Sequence, residues 1–69
     1  MKQMKKRRLE LELSQYEIEK LTGIAQTKIS LIERGYREPS SDERKKLAKA
    51  LRLEVKELFE DKNNNPRFL

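Results

Sequence analysis

The stretch LTGIAQTKISLIERG, residues 21–35, carries a glycine at position 23 among apolar residues that keep a helical spacing. A glycine inside a helix costs roughly 1 kcal/mol relative to alanine, so the segment is either one weakened helix or two helices and a turn. Periodicity does not decide. At about 100° per residue, Ile18 and Ile29 fall within about 20° of each other after three turns, which permits a single helix from Gln15 to Arg34.

Three further features favour the turn. Gly23 can take the left-handed conformation that closes a helix, and the apolar residue after it, Ile24, is placed to pack back on the helix just ended. A helix of that length would strand much of its apolar surface in a chain of 69 residues; two short helices at a steep angle bury it better. Glycine is also common in the turn of helix-turn-helix units. The second helix is expected from Gln15 to Thr22, because Ser14 and Glu17 have the S-x-x-E spacing of a capping box.

Residues 2–12 contain neither glycine nor proline and place Met4, Arg8 and Leu11 on one stripe, which predicts a first helix. After Pro39, Ser40 and Glu43 repeat the capping-box spacing and predict a fourth helix over about 41–51, with Leu47, Ala48 and Leu51 inward. A last short helix is expected from Val55 to Glu60, contributing Val55, Leu58 and Phe59 to the core. The end, DKNNNPRFL, favours turns, so 1–60 reads as one domain and 61–69 as a flexible tail.

The whole is an all-α expectation without room for a second, sensing domain. Cysteine and histidine are both absent, which excludes a disulfide frame and removes the usual zinc ligands. No nucleotide-binding glycine loop or catalytic constellation is present either, so neither an enzyme nor a cofactor is expected. Charged residues make up 42% of the chain, with a formal net charge of +5, which suits an anionic partner. The excess lies in residues 1–37, with nine Lys and Arg against five Glu. A run such as KKRR is ordinarily just a solvated face, so it does not by itself assign nucleic acid. No apolar run of signal-peptide or membrane-spanning length occurs, and a cytoplasmic protein is expected.

The segment LSQYEIEKLTGIAQTKISLIERGYREPS resembles the DNA-binding domain of phage repressors and Cro proteins, the XRE-type helix-turn-helix family. Several elements agree in order: LSQ at the start of the second helix, glycine eight residues after that glutamine, IS-x-IE-x-G across the third, then P-S and LAKAL. The resemblance covers about residues 4–60. It implies a compact five-helix, lambda-repressor-like domain whose third helix lies in the major groove of double-stranded DNA.

Wheel geometry agrees with that orientation. Ile29 and Ile32 define the buried direction of the third helix, and Thr27, Ser30, Leu31 and Arg34 fall opposite, with Gln26 near its start. In the groove, Gln26 suits adenine N6 and N7, Thr27 and Ser30 offer short hydroxyls, and Leu31 offers an apolar contact for a thymine methyl. Leu31 can equally be an ordinary surface leucine. Gln15 resembles the family's phosphate-contacting glutamine at a helix start, with a solvated first-turn residue as the alternative. Lys28, Arg34, Tyr36 and Arg37 are expected on flanking phosphates.

Related repressors also pair an arginine of the first helix with the glutamate of IE-x-G, which implies an Arg8–Glu33 ion pair. Four positions depart from the family pattern. Glu19 stands where a small residue is preferred, Ala25 where a Ser or Thr caps the third helix, Arg44 where an apolar residue is usual, and Arg52 where glycine commonly ends the fourth helix.

The function expected is a sequence-specific DNA-binding transcriptional regulator, a repressor, acting as a homodimer on an inverted repeat. Dimer contacts are expected near Leu53, Lys56, Glu57 and the tail. Control would come from concentration, degradation or a regulatory protein partner, as in phage, plasmid or restriction-modification regulators. The alternative is an antitoxin or other protein-interaction module with secondary DNA binding.

Overall fold

Ser14 and Ser40 each open a helix by the same device. The Ser14 hydroxyl accepts the Glu17 N–H at 3.0 Å, and the Glu17 carboxylate accepts the Ser14 N–H at 2.7 Å; Ser40 and Glu43 repeat this at 3.1 and 2.9 Å. Each box satisfies amides that a helix start leaves without partners. The computed structural model describes residues 2–59. They form five helices in the order α1 (Lys2–Glu10), α2 (Gln15–Thr22), α3 (Gln26–Glu33), α4 (Ser41–Ala50) and α5 (Val55–Phe59), with no strand among the described residues.

Gly23 ends α2 with φ 78°, and its N–H donates to the Glu19 carbonyl at 2.7 Å. The long-helix alternative is therefore excluded. Thr22 shapes the same turn: its hydroxyl donates to the Ile18 carbonyl at 2.7 Å and accepts the Ile24 N–H at 3.1 Å. Ile24 then enters the core beside Met4, Ile18, Ile29, Ile32, Leu47, Leu51 and Leu58. In this arrangement α2 packs on both α3 and α4, α1 on α3, and α5 on α4.

Helix ends differ from expectation in ways that have a common cause. α1 stops at Glu10 instead of running to residue 12, because Glu12 turns left-handed (φ 59°) and the Leu13 N–H reaches back to the Arg8 carbonyl at 3.0 Å. That closure tucks half-buried Leu13 against the core. α4 ends at Ala50 by the same motif, with Arg52 at φ 60° and the Leu53 N–H on the Ala48 carbonyl at 2.9 Å. Of the last helix's expected core residues, Leu58 is buried while Val55 and Phe59 are half-buried against it; Glu60 and the expected 61–69 tail lie outside the described residues.

A left-handed residue with a Cβ costs roughly 1–2 kcal/mol. Arg52→Gly should therefore stabilise the domain by about 1 kcal/mol, less what glycine loses in unfolded-chain entropy. The check is a urea titration, in which the midpoint rises while the slope stays unchanged.

Candidate nucleic-acid interface

The third helix is held in place from behind. Ile29 and Ile32 are fully buried, and next to them Arg8 and Glu33 form a two-pronged ion pair: Arg8 Nε donates to Glu33 Oε2 at 2.7 Å and Nη2 to Oε1 at 3.1 Å. Arg8 Nη1 donates to the Leu13 carbonyl at 2.9 Å. Both side chains are less than a tenth exposed, so a pair at the core edge survives because almost every polar atom is matched. The expected pair is present, and it ties α1 to α3.

Gln15 joins this network, with its Nε2 donating to Glu33 Oε1 at 3.0 Å. It is half-buried at the start of α2, so its amide is held by the ion pair while a second N–H remains for another acceptor. Lys28 is also engaged. Its ammonium bonds Glu43 on α4 at 2.5 Å, pointing toward the neighbouring helix and away from the outward face of α3. The Lys28 bond and the Ser40 N–H hold the Glu43 carboxyl below its ordinary value near 4.5.

The remaining sequence-derived residues gather. Gln26 and Thr27 are exposed in the first turn of α3, Ser30 and Leu31 are half-buried, and Arg34 is exposed at the end. Thr27, Ser30, Leu31 and Arg34 lie on the side away from Ile29 and Ile32, and Gln26 flanks them in the first turn. The Gln26, Thr27 and Ser30 side chains make no hydrogen bond among the described residues. Beyond them Gly35 turns left-handed (φ 83°), and the Tyr36 N–H closes onto the Leu31 carbonyl at 2.9 Å. That turn sets the Tyr36 ring 5.7 Å from the Arg34 guanidinium, a cation–π contact, and leaves Tyr36 and Arg37 exposed at the same edge.

Two of the sequence departures answer each other. Ala25 gives α3 no side-chain cap, but the Glu19 carboxylate on α2 accepts the Gln26 N–H at 3.2 Å. A negative group therefore sits on the first amide of α3, where the helix dipole favours it. Sequence reasoning noted both residues yet missed the link, which depends on how the Gly23 turn folds α2 against α3. Arg44, the third departure, lays its guanidinium 5.4 Å from the Phe59 ring and donates through Nε to the Pro39 carbonyl at 3.4 Å. Its charged head thereby meets α5 through the Phe59 ring, a cation–π contact between α4 and α5.

Among the described residues, no helix is long and apolar enough to cross a membrane and no group of side chains is arranged to hold a metal ion. A family model described as helix-turn-helix matches residues 4–58. A crystal structure of the restriction-modification controller protein C.AhdI from Aeromonas hydrophila is similar in fold, with a TM-score of 0.80, 34% identity, and coverage of 84% of this chain and 88% of that one. Comparison with curated protein sequences gave no match. With five helices in place, a glycine turn between α2 and α3, and a family match across nearly every described residue, the chain belongs to the XRE-type helix-turn-helix family of DNA-binding transcription regulators.

Proposed function

We propose that the protein is a sequence-specific repressor that inserts α3 into the major groove of double-stranded DNA and binds an inverted repeat as a homodimer. The observation that carries this is the first turn and outward face of α3, where Gln26, Thr27 and Ser30 present polar side chains without partners among the described residues on a helix fixed by the Arg8–Glu33 pair. Such groups match the edges of base pairs in the major groove. Arg34, Tyr36 and Arg37 at one end and Gln15 at the other are placed for flanking phosphates. Lys28 could join them only by releasing Glu43, so it contributes least.

One α3 offers too few base contacts for useful specificity, and two-fold pairing doubles them over half-sites about one turn of DNA apart. Exposed Lys56 and Glu57 on α5 are the surface assigned to that pairing. The likeness to a restriction-modification controller favours that context over phage or plasmid control.

Selection from a random duplex pool tests the reading. It should return a near-palindrome, and Gln26→Ala should relax one position in each half, losing about 1–3 kcal/mol of discrimination there. Binding to random duplex should weaken steeply with salt. A flat salt dependence would exclude the groove-bound arrangement.

A further inference from the structure

The carboxylate that caps α3 also stands beside its first base-reading residue. Glu19 Oε1 accepts the Gln26 N–H, which accounts for one of its two oxygens. Glu19 is half-buried and forms no ion pair among the described residues. The neighbouring cation, Lys20, lies instead over the Tyr16 ring at 5.3 Å. A carboxylate without a counter-cation thus stands at the start of α3, next to exposed Gln26, where phosphates and base acceptors are repelled and amino groups attracted.

We propose that Glu19 is a specificity-determining residue that reads a cytosine in each half-site, next to the base pair contacted by Gln26. The inference rests on α3 lying in the major groove. An ionised carboxylate has only acceptors. Guanine shows two acceptors on its major-groove edge and thymine one acceptor and a methyl group, while adenine's amino group is flanked by the N7 acceptor. Cytosine alone offers an amino donor without a neighbouring acceptor on the same base. The free oxygen of Glu19 accepts from cytosine N4, while the other oxygen keeps the helix start in place. One side chain therefore both positions Gln26 and adds a base contact at the site where the family prefers a small residue.

The test runs random-pool selection in parallel on the wild-type protein, Glu19→Gln and Glu19→Ala, with helix content checked by circular dichroism. Glu19→Gln keeps an oxygen for the Gln26 N–H but turns the other atom into a donor. Its preferred base at that one position should change from cytosine to guanine, which presents acceptors. Glu19→Ala should flatten the same position, with the wild-type preference for cytosine, about tenfold in competition against single-base variants, lost. Unchanged preferences in both variants would overturn the proposal. So would an equal weakening at every position, which would leave Glu19 with only its capping role. If the wild-type protein itself enriches no site and binds duplex independently of salt, the groove-bound reading falls, and this inference with it.

Discussion

Glu33→Ala should cost the domain about 3–5 kcal/mol, because it leaves the Arg8 guanidinium buried without its counter-charge. Arg8 would keep one bond, to the Leu13 carbonyl at 2.9 Å, and lose both bonds to the carboxylate. Gln15 would lose its partner on Glu33 as well. A single core of this size rarely supplies more than about 3–5 kcal/mol in total, so the variant is expected to be largely unfolded at 25 °C, as seen by loss of helical circular dichroism.

The same pair is not, on that account, a large net source of stability. Desolvating two charges offsets most of their attraction, and replacing both with apolar residues of similar volume is often neutral or favourable by about 1–4 kcal/mol. The double variant Arg8→Met with Glu33→Leu should therefore be much more stable than Glu33→Ala. Urea titrations of the two proteins decide the matter. A double variant as unstable as the single one would mean that the pair does more than cancel its own desolvation.

How far the sequence reaches can be seen from where its expectations stopped. The bounds of α2 were readable because signals flank it on both sides, a capping box at Ser14 and a glycine at position 23. The end of α1 was not, since Glu12 takes a left-handed conformation that its residue type disfavours and local spacing cannot announce. The Arg8–Glu33 pair spans 25 residues and was visible through family resemblance, with nothing in local spacing to suggest it. The outward face of α3 was legible from periodicity, since the buried positions of one short helix fix the exposed ones.

Tertiary partners were the part that spacing could not supply. Lys28 looked like one more cation beside the groove, and only the approach of α4 shows it committed to Glu43 across 15 residues. Glu19 and Ala25 looked like two separate flaws. They become one cap once the turn at Gly23 folds back, and the relation lies in an angle between helices that no pattern of residue types encodes. In both cases the side chain's identity was informative, but its partner came from packing.

Ile29→Ala is the sharpest way to separate the two faces of α3. Ile29 is completely buried, and truncating it to alanine removes three carbons from a packed site and leaves a cavity, a loss of about 2–5 kcal/mol. Ile29 lies on the helix that presents Gln26, so the damage reaches DNA binding indirectly, through the folded fraction. Affinity should fall in proportion to unfolding, with the selected site unchanged. Leu31→Ala, two residues along and half-buried on the outer face, should change stability by less than about 1 kcal/mol, far below the cost of a core cavity. If Leu31 meets a thymine methyl, this second variant loses preference at that base pair while remaining folded. Thermal melting together with site selection on both proteins checks the contrast. A Leu31→Ala protein with the wild-type site preference would remove Leu31 from the interface and leave it as an ordinary surface leucine.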